Sequence, residues 1–144
     1  KQKSKLQLLK VKNNLIKDKL RKQETGIEIE QDMSEKVAKF ALKARDNGYS
    51  ILIGAAGMAA HLAGALKAHS TLPVIGVPLP GGILDGLDSL LATLQMPKGV
   101  PVATMTVGKA GFINSAILCA EIFSINESAL KSKLDDFKEN GAKL

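Results

Sequence analysis

Cysteine, tryptophan and aromatic residues are nearly absent from this chain. In 144 residues there is one Cys, no Trp, one Tyr and four Phe. The lone Cys119 excludes a disulfide framework and a cysteine-based metal site, which suits a reducing compartment and points to the cytoplasm. With aromatics at 3%, a core has to be assembled from Leu, Ile, Val and Ala; the 45% apolar content suffices for one ordinary domain. No apolar run approaches the roughly 18 residues that a membrane span requires. No cluster of metal-ligating side chains appears, so no metal site is expected. The chain opens on Lys1 rather than Met and carries no signal-peptide pattern, which is consistent with missing first residues.

Net charge is +6, but the excess is local. Residues 1–22 hold nine Lys/Arg against one acid, Asp18, so this segment carries about +8 and the remaining chain about −2. Leu6, Leu8, Leu9, Val11, Leu15, Ile16 and Leu20 interleave with the lysines, as in a solvated amphipathic helix or a short strand followed by one. Nucleic-acid binding would call for aromatics or a recognisable motif, and neither is present.

Strand and helix patterns alternate along the rest of the chain. Gly26-Ile27-Glu28-Ile29-Glu30 has the period-two alternation of a short strand. Asp32 or Ser34 is placed to cap a following helix with Val37, Phe40, Ala41 and Ala44 on one face, ending near Asn47-Gly48. Ser50–Ile53 reads as a strand, Ala59–Ala68 as a helix, and Leu72–Pro78 as a buried strand closed by proline. Leu84–Leu94 is helical, with Leu84, Leu87, Leu90, Leu91 and Leu94 in one apolar stripe. Val100–Val107 reads as a further strand, Phe112–Phe123 as an apolar helix and Ser128–Asn140 as a polar terminal helix. This grammar predicts an α/β fold, a parallel sheet with helices on both faces, and a single domain over residues 1–144.

Few residues carry chemistry. The apolar run Ile51-Leu52-Ile53-Gly54 ends in small residues and leads through Gly57-Met58-Ala59-Ala60 to His61-Leu62-Ala63-Gly64. In a parallel α/β sheet, ligands bind at such strand-to-helix turns. Small residues there let backbone N–H groups approach an anion, and a histidine can exchange a proton near neutral pH. His61 is thus the candidate functional side chain, with a capping or packing role as the alternative. His69, at a helix end beside Ser70, reads as structural. Gly108-Lys109-Ala110-Gly111 lies between strand and helix but lacks the Gly-x-x-x-x-Gly-Lys-Ser/Thr spacing of a phosphate loop. Pro80-Gly81-Gly82 is either a pocket-lining loop or a plain turn. Asp85 and Asp88 fit a cap and a surface acid as well as a catalytic pair.

Several segments in register resemble one family. Gly57-Met58-Ala59-Ala60-His61-Leu62-Ala63-Gly64 is similar to its Gly-Gly-Ala-Ala-His-Leu-Pro-Gly turn, and Leu72-Pro73-Val74-Ile75-Gly76-Val77-Pro78 to its next strand. Gly86-Leu87-Asp88-Ser89-Leu90-Leu91, Gln95-Met96-Pro97-Lys98-Gly99-Val100-Pro101-Val102-Ala103-Thr104 and Gly108-Lys109-Ala110-Gly111-Phe112-Ile113-Asn114 follow in the same order. The family is the catalytic subunit of phosphoribosylaminoimidazole carboxylase, whose bacterial form is the 5-(carboxyamino)imidazole ribonucleotide mutase of purine biosynthesis. The resemblance covers roughly residues 36–138, with residues 1–31 a divergent basic segment.

The resemblance implies a three-layer flavodoxin-like domain assembling as a homo-octamer, without metal or cofactor. It implies a nucleotide-binding isomerase, lyase or carboxylase acting on an aminoimidazole ribonucleotide-type substrate, with carboxylate moving from the exocyclic nitrogen to a ring carbon. Carried over by position, Gly57, Ala59, Ala60, His61 and Leu62 line the nucleotide and carboxylate pocket, and Gln95-Met96-Pro97 belongs to its wall or to a subunit boundary. The chain departs from the family pattern at its start. Leu8–Asn14 stands where a Gly-Ser-x-Ser-Asp phosphate grip is expected, and Ile29–Ser34 where a Ser-Ala-His-Arg-Thr-Pro segment supplies the catalytic histidine. Met58 replaces a glycine and Ala63 a proline. His61 is then the candidate proton carrier, and a non-catalytic ribonucleotide binder or assembly subunit is the second reading. A third is a related carboxylase of pyridine mononucleotides, which the Gln95-Met96-Pro97 and Gly86–Ser89 segments disfavour.

Overall fold

The computed structural model describes the backbone of residues 26–142 and the side chains of residues 33–142. Two compact units are distinguished, residues 1–36 and 37–144, and the second contains the sheet. The basic segment over residues 1–22, with its expected amphipathic helix or strand, lies outside the described residues.

The elements, in order, are α1 (Gly26–Lys43), β1 (Leu52–Ala56), α2 (His61–Ala68), β2 (Val74–Pro78), a short 3-10 turn (Ile83–Asp85), α3 (Leu87–Leu94), β3 (Ala103–Thr104), α4 (Lys109–Ser124) and α5 (Ser128–Glu139). Helix α1 overturns the strand expected over Gly26–Glu30. That alternation lasts only five residues, whereas Ile29, Met33, Val37, Phe40, Ala41 and Ala44 keep the three-to-four spacing of a helix, and the longer pattern prevails. Asp32 and Ser34 therefore fall inside α1 rather than capping it. Gly48, at φ +78°, ends the turn that follows, where a left-handed residue is needed.

β1, β2 and β3 pair in that order, all parallel, with Leu52 opposite Val74 and Ile75 opposite Ala103. The strand expected over Val100–Val107 shrinks to two residues. Pro101 has no N–H to give to a ladder, so pairing starts only beyond it. β2 is the central strand and is buried along its whole length, as its Val-Ile-Gly-Val-Pro sequence suits.

Alternation along the strands sets the layers. On one face, Leu52 and Val74 join Ala63 and Leu66 of α2, Val37, Ala41 and Ala44 of α1, and Leu72 in the main core. Gly54 and Gly76 lie on this face too, where α2 and α3 come close to the sheet. On the other face, α4 reaches Val77 through Gly111, at which a Cβ would collide with Val77 and the Thr106 carbonyl. Helices thus cover both faces of a parallel sheet, the three-layer α/β arrangement of flavodoxin-like domains. α5 packs on α4, with Lys138 Nζ 3.5 Å from Glu121 Oε1.

α3 has an unusual orientation. Its sheet-facing positions are Ser89 and Thr93, both buried, as is Gly86 just ahead of it, while Leu87, Leu91 and Leu94 are exposed, Leu94 at 56%. Ile83 and Leu84, just ahead of the helix, extend this apolar surface and are exposed at 73% and 76%. Among the described residues, nothing covers this row.

Candidate functional site at the carboxyl ends of the strands

Three loops meet where the parallel strands end. Leu79 N–H donates to Ala56 O at 2.9 Å, joining the end of β2 to that of β1. Gly108 N–H donates to Pro78 O at 2.8 Å, bringing in the loop after β3. Gly57 faces the Leu79 carbonyl, and Pro80 lies against both Gly86 and Gly108. The loops 57–60, 79–86 and 105–108 therefore form one continuous surface at the edge where α/β sheets bind ligands.

The turn after β1 is held by the bond from Ala60 N–H to Gly57 O, 2.9 Å. Within it Met58 (φ 51°) and Ala60 (φ 45°) are left-handed, a conformation that costs an L-residue roughly 1–2 kcal/mol. Leu84 (φ 49°) and Asp85 (φ 52°) share it in the loop after β2. Apart from Ala142, every non-glycine residue with positive φ among the described ones thus belongs to these two loops. Strain of this kind gathers where a chain is shaped for a ligand rather than for its own comfort.

α2 starts at His61 directly after this turn and has no side-chain cap, so its first N–H groups are left for another acceptor. The close fit of Gly54 against Ala63 and Leu66 fixes the helix start beside the end of β1. His61 is exposed, Met58 is 66% exposed, Ala60 is buried, and Gly57 and Leu62 are half-buried. The expected residues Gly57, Ala59, Ala60, His61 and Leu62 thus occupy one turn and its helix start. The surface they form offers uncapped backbone donors and one imidazole open to solvent.

Other candidates resolve differently. His69 Nδ1–H donates to Ala65 O at 2.9 Å, an intrahelical bond at the end of α2 that accounts for it structurally. The Gly108 amide is committed to Pro78, and Gly111 N–H to Gly108 O at 3.0 Å, so Gly108–Gly111 is a close-packing turn. Met96 lies on Gly64 in the middle of α2. Asp88 does not pair with Asp85: its Oδ2 accepts from Ile83 N–H at 3.0 Å and its Oδ1 from Ser89 N–H at 2.8 Å. That brace was not foreseen, because it depends on the path of the loop that Gly82 and Gly86 shape ahead of Asp88. Among the described residues, no three His, Cys, Asp or Glu side chains gather as a metal site would require. No helix among them is long and apolar enough to cross a membrane.

A family model described as AIR carboxylase matches residues 4–143. The chain belongs to the AIR carboxylase family. The match runs beyond residues 36–138 in both directions. Curated relatives include the N5-carboxyaminoimidazole ribonucleotide mutases of Bacillus subtilis, 50% identical over 102 residues, of Escherichia coli K12, 43% over 105, and of Haemophilus influenzae, 44% over 106. These alignments cover 71%, 73% and 74% of this chain. The chain in turn spans 63%, 62% and 65% of the relatives, less than two thirds of their length.

Proposed function

We propose that this chain binds an aminoimidazole ribonucleotide and moves a carboxylate from its exocyclic nitrogen to a ring carbon, as a step of purine biosynthesis. The observation that carries the reading is the turn Gly57–Leu62, with two strained left-handed residues, an uncapped helix start and His61. Breaking the nitrogen–carbon bond releases carbon dioxide and leaves the nitrogen to take a proton. Forming the carbon–carbon bond releases a proton from the ring carbon. One base that carries the proton between these positions balances the reaction, and His61 fits that role. His69 is committed to Ala65, and the chain has no third histidine. Ala59, Ala60 and Leu62 supply small apolar contacts for the carbon dioxide, and backbone N–H groups hold the carboxylate.

The missing Gly-Ser-x-Ser-Asp and Ser-Ala-His-Arg segments favour a second reading, a relative that binds the ribonucleotide or takes part in assembly without turnover. Calorimetry with aminoimidazole ribonucleotide beside a carboxylation assay separates the two. Turnover that His61→Ala abolishes supports the mutase; binding without turnover supports the second reading; no binding sinks both ligand assignments.

Assembly into a homo-oligomer, an octamer by resemblance, belongs to the same proposal. The exposed row Ile83, Leu84, Leu87, Leu91 and Leu94 suits burial against another copy. We place the assembly in the cytoplasm, in keeping with the solitary cysteine.

A further inference from the structure

We propose that Asp88 is a positioning residue: its carboxylate holds the crossover between β2 and α3 in the shape that walls the site beside His61. The inference rests on the ribonucleotide-binding reading and assigns that site a residue that does not itself touch the ligand.

The crossover, residues 79–86, has to turn the chain from the end of β2 into α3 within eight residues. Three consecutive residues, Leu84, Asp85 and Gly86, are left-handed, at φ 49°, 52° and 107°. Only the last is a glycine, so the segment does not hold this shape by preference. Two side chains from the first turn of α3 hold it. Ser89, fully buried, has its hydroxyl oxygen 2.8 Å from Leu79 O and 2.9 Å from Gly86 O, so its single proton is shared between the two ends of the crossover. Asp88 holds the middle, one carboxylate oxygen on Ile83 N–H and the other on Ser89 N–H. The carboxylate lies so close over Gly82 that a Cβ at that position would collide with it.

The braced segment borders the candidate site. The Leu79 and Pro80 carbonyls stand 3.5 and 3.7 Å from the Cβ position of Gly57, and Pro80 lies against Gly108. A crossover released from Asp88 would relax away from its left-handed conformations and withdraw this wall from the His61 turn. Both oxygens of Asp88 already accept from backbone N–H groups, so its part is to position and not to exchange protons.

Asp88→Asn in the full chain tests this. The side chain keeps its shape, but one acceptor oxygen becomes an NH2 group facing a backbone N–H. Amide hydrogen exchange would be read at Ile83 and, as a reference, at Ile75 and Val77 in β2, together with calorimetry of aminoimidazole ribonucleotide. The expected result is exchange at Ile83 about tenfold faster, unchanged protection in β2, and affinity about tenfold weaker, the scale of one charge-assisted hydrogen bond. Unchanged exchange at Ile83 overturns the brace. Faster exchange in β2 as well makes Asp88 a general stabilising residue and overturns positioning, and so does faster exchange at Ile83 with unaltered affinity. Should the unaltered chain bind no ribonucleotide, the functional reading falls, while exchange at Ile83 still upholds or overturns the brace.

Discussion

Gly54 of β1 and Ala63 of α2 approach so closely that a Cβ on Gly54 would stand 2.9 Å from the Ala63 Cα. The obstruction is backbone, which cannot swing aside as a flexible side chain would. Gly54→Ala should therefore push α2 off the sheet and destabilise the domain by about 1–3 kcal/mol, the usual scale of overpacking. Urea unfolding checks it; an unchanged midpoint would mean that α2 is not seated as described. Because α2 carries His61 at its start, ligand affinity should fall in the same variant.

Met58 occupies a left-handed position, φ 51°, with its side chain 66% exposed. Little packing is at stake there, so Met58→Gly should relieve strain. A gain of about 0.5–1 kcal/mol is expected after allowing for the greater freedom of glycine in the unfolded chain. Thermal unfolding would register this as a rise in Tm, and a fall would show that the exposed side chain has a stabilising partner.

His61 is exposed and makes no side-chain hydrogen bond with the described residues. His61→Ala should alter stability by less than about 0.5 kcal/mol while abolishing turnover in the carboxylation assay. A variant that keeps full turnover would remove His61 from the chemistry.

The leucine row of α3 faces away from the sheet. Leu91→Glu should leave the unfolding midpoint of an isolated protomer nearly unchanged yet dissociate the proposed homo-oligomer, since a charge in a buried apolar contact would have no partner. Sedimentation velocity distinguishes the outcomes, and a variant sedimenting with the size of the unaltered assembly would place the interface elsewhere.

Much of this architecture was legible in the residues because short apolar runs ending in glycine or proline have few other uses. Leu72–Pro78 and Ile51–Gly54 announced β2 and β1 in this way, and the Ala/Leu-rich run after His61 announced α2. The N-terminal residues of α1 were misread because Ile27 and Ile29 fit a period of two, and only the longer context from Ile29 to Ala44 decides for a helix. β3 was drawn too long because β-propensity over Val100–Val107 outweighed Pro101. At the site, the His61 turn was visible from its small residues. The left-handed conformations of Met58, Ala60, Leu84 and Asp85 were not, because Met, Ala and Leu do not announce positive φ, and an Asp, which tolerates it better, takes it up only in particular turns. Asp88 was equally hidden, its role depending on a loop whose path only tertiary packing determines.

α3 fits the sheet through residues with almost no bulk: Ser89 and Thr93 satisfy their hydroxyls on Leu79, Gly86 and Ser89 carbonyls, and Gly76 leaves room for Thr93. None of the exposed leucines enters the main core. The requirements of folding and those of the proposed association are therefore written on opposite sides of one helix. Over evolutionary time the outer side can change its choice of neighbour while the inner side stays as it is, and protein engineers can redesign the outer side without reopening the problem of the fold.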